Sequence, residues 1–364
     1  MDEQAFLQDV VFITLYGGVI MLSVVAALYL LLRRGNAIAP EVTSPVPLRR
    51  WTAAFLIVCA LSHVNWLYYV CHPSPVAYLI ICGLDILLLF PTIAGILLAM
   101  LQDRRRPIWP VLLLLVPAVV MLALCIIRQD DVLFVPLTIY VIASYGLLML
   151  YAFFAVRHYR RWLRDNYADL EHKEILQSLL ILVVFLLFFI IYSRTTGESR
   201  VLIYLMQIDC IIIVALLLWR VETLQQLSES ASPEAEPAEE TRKASAAPAI
   251  PAKIGPLLEK RCEGGQLYLQ HDLTLAQLAQ TIGTNRTYLS QHFAQQGITY
   301  NAYINGLRVR HFIRLYHEAV AAQRIFTAQR LAFESGFHSY STFSATFKQN
   351  MGMTVTQWMH NTAE

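Results

Sequence analysis

Two clusters of side chains near the C-terminus carry the groups needed to touch a charged, hydrogen-bonding polymer. One holds Asn285, Arg286, Thr287, Ser290 and Gln291; the other holds His338, Ser339, Tyr340, Ser341, Ser344 and Lys348. Guanidinium and ammonium groups donate to phosphate oxygens, an arginine fork fits a guanine edge, and a glutamine amide pairs with adenine. On that chemistry Arg286 suits a phosphate or guanine, Gln291 an adenine and Lys348 a phosphate. Such groups read a duplex only when a helix presents them together, so the elements beneath them decide their value.

Those elements are legible. The run LTLAQLAQTIGTNRTYLSQHF opens with Thr274 and, three residues on, Gln277, the spacing of a capping box. Leu275, Leu278, Ala279 and Ile282 follow at helical spacing, and Gly283 is suited to end the helix in the left-handed conformation. A second helix from about Asn285 places Leu289 and Phe293 one turn apart on its buried side. Helix, glycine turn, helix is the outline of a helix–turn–helix, whose second member enters the DNA major groove. The outline recurs in IFTAQRLAFESGFHSYSTFSATFK, with Leu331 and Ala332 on the first helix, Gly336 at the turn, and Phe343 and Phe347 anchoring the second. Between the two runs a helical stretch spans about Tyr300 to Val320, roughly 30 Å at 1.5 Å per residue. That approaches the ~34 Å turn of B-DNA, so the spacing predicts two probes for successive major grooves. A plain helical bundle with capping glycines accounts for one such outline, but poorly for two in tandem with matching aromatic anchors.

The run LAFESGFHSYSTFSATFK, the glycine and threonine of MGMT and the tryptophan of TQWM resemble the signature of the AraC family of transcription regulators. The resemblance covers about the last hundred residues. It implies an all-helical domain of seven helices holding two helix–turn–helix units, with promoter DNA and RNA polymerase as partners. Val355 stands where that family usually has proline, and Met359 where a basic residue is common. Ala345 and Gln291 stand where relatives often carry a DNA-facing arginine.

Composition sets the rest of the chain apart. A hydrophobic share of 57% against 15% charged residues is far from a soluble average, and the excess lies in the first 220 residues. Seven apolar runs are long enough to span a bilayer, near Val10–Leu32, Trp51–Val70, Ala77–Leu101, Ile108–Ile127, Val132–Val156, Leu176–Tyr192 and Val201–Trp219. The acidic start MDEQAFLQD argues against a cleaved signal peptide. Arg33, Arg34, Arg49 and Arg50 flank the first loop, Arg104, Arg105 and Arg106 sit in the third, and Arg157, Arg160, Arg161, Arg164 and Lys173 in the fifth. The alternate loops hold only Arg128, Arg194 and Arg200, so the positive-inside rule places the N-terminus outside and the C-terminus in the cytoplasm, as in a bacterial inner-membrane protein.

Within the spans stand His63, Asn65, Asp85, Gln207 and Asp209, at mid-membrane or in the outer half. Ionisable groups at that depth are costly and face a bundle interior or a wet cavity. Either they form an outward-open pocket for a small ligand, with Asp85, Asp209, His63 and Asn65 as its lining, or they only fix helix packing. The four prolines at 91, 110, 117 and 136 kink helices or sit at their ends. Six cysteines stand singly without ligand spacing, so no metal, disulfide framework or cofactor is expected.

After Trp219 the residues Val221, Leu224 and Leu227 form a short apolar stripe that offers to pair two copies of the chain. From about Ser228 to Ala252 the composition is Ala, Pro, Glu and Ser, the signature of a flexible linker. From Pro256 on there are nine Lys/Arg against six Asp/Glu, a weak basic excess for a DNA binder; Arg308, Arg310 and Arg314 are either solvated or further phosphate contacts.

The expected fold is therefore all-α: a seven-span transmembrane domain over residues 1–220, a neck and linker over 221–255, and a double helix–turn–helix domain over 256–364. The expected function is a membrane-tethered, sequence-specific DNA-binding regulator answering to a small-molecule or periplasmic signal, with lipid and a second copy as further partners. It is not an enzyme: the spans offer no HExxH and no GxSxG. A transporter or intramembrane enzyme carrying a regulatory module, and a passive tether, are the alternatives.

Overall fold

The computed structural model describes residues 9–33, 35–40, 42–128, 132–170, 173, 184, 200–227 and 254–363. The chain divides into two compact units, Met1–Arg157 with Ile175–Gln226 and His158–Glu174 with Leu227–Glu364. Described residues form helices joined by turns.

In the first unit the helices are α1 (Val10–Leu32), α2 (Val46–Cys71), α3 (Pro75–Met100), α4 (Trp109–Arg128), the greater part of α5 (Phe134–Asn166) and α6 (Arg200–Thr223). All six are long and apolar enough to cross a membrane. The expected sixth run, Leu176–Tyr192, lies outside the described residues apart from Val184, as does the linker over 228–253. Helix α1 begins where the run predicts, because Asp9 caps it by accepting from the amides of Val11 and Phe12 at 3.1 and 3.2 Å. Leu48, Phe55, Leu56, Phe90, Ile93, Ala94, Val214 and Leu217 form its core. Apolar residues such as Leu113, Ile139 and Phe154 face outward, 63%, 63% and 60% exposed. Pro91 and Pro117 lie inside α3 and α4; Pro110 and Pro136 fall in the first turns of α4 and α5.

Two expectations are corrected. Helix α5 does not end at Val156 but continues to Asn166. The segment RHYRRWLRDN has no glycine or proline, and its arginines and leucine favour helix, so nothing stops it. The stripe Val221, Leu224 and Leu227 is not a free face for a second copy. Val221 and Leu224 lie in the core of their own unit and Leu227 is buried too. Glu222 holds this end of α6 in place: its carboxylate accepts from the Tyr29 hydroxyl at 3.0 Å, the Ile38 amide at 3.2 Å and the Ala37 amide.

The C-terminal part of the second unit holds seven α-helices: α7 (Ile254–Leu257, running into a π-helical turn over Leu258–Glu263), α8 (Leu275–Ile282), α9 (Arg286–Gln295), α10 (Tyr300–Ala321), α11 (Ala328–Glu334), α12 (Tyr340–Met351) and α13 (Val355–Ala363). Two cores share α10. Tyr300, Ile304 and Leu307 join Leu275, Leu278, Ile282, Leu289 and Phe293 in the first. Val309, Phe312 and Tyr316 join Leu331, Phe337, Phe343, Phe347 and Val355 in the second. At 22 residues α10 is about 33 Å long.

Candidate nucleic-acid interface

The first lobe is α8 and α9. Thr274 and Gln277 form the capping box foreseen, and Gly283 turns the chain at φ +80°. Asn285 then caps α9, its side chain accepting from the Tyr288 amide at 2.8 Å. The second lobe, α11 and α12, repeats the plan. Thr327 caps α11, Gly336 turns at φ +94°, and Ser339 caps α12. At Gly336 a Cβ would stand 2.8 Å from both the Leu269 Cα and the Tyr268 carbonyl oxygen, so backbone approach as well as conformation requires glycine.

Leu289, Phe293, Phe343 and Phe347 are buried, which turns the opposite faces of α9 and α12 outward. On α9, Gln291 is exposed and Arg286, Thr287 and Ser290 are half-buried. Before and along α12, His338, Tyr340, Ser341 and Lys348 are exposed and Ser344 is half-buried. Asn285 and Ser339, expected among the contacts, serve first as helix caps.

The two lobes are held together by more than α10. Arg308, grouped above with solvated or phosphate-facing arginines, is 1% exposed. Its Nε donates to the Tyr268 carbonyl at 2.7 Å, and its terminal nitrogens donate to the Gln270 carbonyl at 2.6 Å, the His271 carbonyl at 3.3 Å and Asn305 Oδ1 at 3.2 Å. Its guanidinium also lies 5.8 Å from the Phe337 ring centre. The cation thus fixes the turn around Leu267–Leu269 between the lobes, and it is no phosphate contact. Burial lowers its pKa below the ordinary arginine value, which still leaves it charged. Nearby, Tyr268 Oη and His311 Nδ1 are 2.9 Å apart; burial, then the Arg314 guanidinium, holds His311 below the ordinary histidine pKa.

Sequence reading missed a third component of the first lobe. Residues from the end of α5 and the turn after it pack against α8, α9 and α10. Arg286 Nε donates to Asn166 Oδ1 at 3.0 Å. Tyr167 pairs with Thr274 in an isolated antiparallel bridge, and Ala168, fully buried, lies in the first core. A signal was present: Asn301 and Asn305 stand one turn apart on α10, where asparagine is a weak helix former, and both amides serve this turn.

In the membrane-type unit His63 and Gln207 are brought together. His63 Nε2 lies 3.2 Å from Gln207 Oε1, and its Nδ1 lies 2.8 Å from the Cys59 carbonyl. Asp85 accepts from Trp66 Nε1 at 2.8 Å. Asp209 is 9% exposed, and its Oδ2 has no hydrogen-bond partner among the described residues. Asn65 is half-buried.

A family model described as a helix-turn-helix domain matches residues 278–361. The match begins inside α8 and runs into α13, so it takes in both lobes. No curated protein and no solved structure matches the chain.

Proposed function

We propose that this chain is a membrane-tethered, sequence-specific DNA-binding transcription regulator of AraC type. Its C-terminal unit works in the cytoplasm of a bacterial cell and its membrane unit senses a signal. One observation carries the reading: two capped helix–turn–helix lobes share one long helix and turn polar faces outward, over the residues that the helix-turn-helix family model matches. Six apolar helices supply the tether. The arginine-rich ends expected at alternate loops supply the orientation.

Arg286, Thr287, Ser290 and Gln291 serve one half-site, and His338, Tyr340, Ser341, Ser344 and Lys348 the other. The two caps, Asn285 and Ser339, offer their backbone amides to phosphates. For the signal, Asp209 is the first candidate, because a buried carboxylate oxygen without a described partner is costly unless something meets it. Asp85, His63 and Asn65 are the companions expected for it.

Selection of duplexes from a random pool by the full-length protein in nanodiscs tests the reading. The expected result is an enriched site of two half-sites about 10 base pairs apart. A pool that emerges unenriched, or a C-terminal reporter that maps to the outer side of the membrane, overturns it.

A further inference from the structure

The segment that follows the fifth apolar helix is built into the first lobe. Ala168 is fully buried in that core. Its carbonyl accepts from Asn301 Nδ2 at 2.6 Å and from Asn305 Nδ2 at 2.9 Å, two amides one helical turn apart. Asn301 Nδ2 also reaches the Tyr167 carbonyl at 3.2 Å. Tyr167 itself pairs with Thr274, the cap of α8. Asn166, the last residue of α5, accepts from Arg286, the first residue of α9. Two donors on one carbonyl, a buried methyl and a bridged backbone pair are the marks of a fitted contact. Chance apposition of two solvated surfaces leaves polar groups to water.

The position of Arg286 gives the contact a consequence. A guanidinium at the N-terminus of a recognition helix is where phosphate or guanine is met. Its Nε hydrogen, directed at Asn166, is not directed at a duplex. We infer that residues Asn166–Asp169 form an intramolecular strap that competes with DNA for the first lobe: docked, it holds Arg286; released, it frees Arg286 for a phosphate or base. The inference rests on the DNA-binding reading above. The strap continues from α5 with no glycine or proline between Gly146 and Asn166, and the path along the chain from α5 to the strap does not include residues 228–253. This supplies a route for the signal that does not depend on a linker of the Ala/Pro/Glu type, which carries torque poorly.

The test uses the full-length protein in nanodiscs and a fluorescent 30-base-pair duplex of random sequence, read by anisotropy. Asn166→Ala removes the acceptor and is expected to raise duplex affinity about tenfold, the weight of one charge-assisted contact. Tyr167→Cys with Thr274→Cys locks the strap, because bridged antiparallel residues lie within disulfide reach. Oxidation is expected to weaken binding about tenfold and reduction to restore it, with single-cysteine variants as controls. Arg286→Ala is expected to abolish both effects. Affinity that is blind to the lock, or that falls in Asn166→Ala, overturns the strap while leaving the regulator standing. Absence of duplex binding in wild type and Asn166→Ala alike overturns the regulator reading, and the strap with it.

Discussion

The two helix–turn–helix lobes share a plan but not a construction. The second has a core made of its own aromatic rings: Phe312, Phe337, Phe343 and Phe347 meet ring to ring, with centroids 4.4 to 5.7 Å apart, and Trp358 closes the cluster 5.4 Å from Phe347. Its candidate contacts stand mostly in the open. The first has an aliphatic core that takes in Ala168 from more than a hundred residues upstream, and its leading arginine is engaged by Asn166. A lobe finished by a distant segment can be unfinished by moving that segment. A lobe finished by its own aromatics cannot. The difference assigns steady grip to the second lobe and conditional grip to the first.

The largest expected effect falls on the self-contained lobe. Phe343→Ala opens a cavity in the aromatic cluster and should cost about 3–5 kcal/mol, read as lost hydrogen-exchange protection in α11–α13. Protection of α8 and α9 should fall less; equal loss in both lobes would show that they fold as one and end the contrast. The turn glycines come next. Gly336→Ala adds a left-handed penalty to a backbone overlap and should cost about 3 kcal/mol. Gly283→Ala meets only a guanidinium nitrogen of Arg261 at 3.5 Å and should cost about 1 kcal/mol. Pulse proteolysis of the two variants ranks them, and a reversed order breaks the argument that the Leu267–Leu269 turn is pressed against the second lobe.

Smaller effects sharpen the assignment of contacts. Lys348→Ala should reduce the salt slope of duplex binding by about one phosphate contact, whereas Arg286→Ala should barely change it while the strap is docked. An equal change for both in wild type would mean that Arg286 already meets DNA. The smallest is a pH effect at the junction. His311 binds its proton less readily folded than unfolded, so its contribution is complete above the ordinary histidine pKa of about 6.5 and falls as pH drops below it. His311→Gln should flatten that acid limb, and an unchanged limb would place the sensitivity elsewhere.

The helices of the second unit were legible because their signals are local. Thr274 with Gln277, the αL glycines and the apolar spacing of Leu275 to Ile282 act over three or four residues, and the sequence displays them side by side. Six of the seven apolar runs were legible for the same reason, apart from the end of α5, where the arginines after Val156 were read as loop. The division into units was less so: residues 158–174 group with the C-terminal unit and 221–226 with the membrane-type one.

By itself, then, the sequence determined the helices of the two helix–turn–helix lobes, their apolar faces and the turns at Gly283 and Gly336, since each follows from a period or a cap within one or two turns. Tertiary structure alone decided that Arg308 is a buried clamp, that Ala168 belongs to the first lobe and that Arg286 meets Asn166. Those contacts run to carbonyls and amides scores of residues away, and a hydrogen bond of that kind imposes no spacing on the chain between its partners.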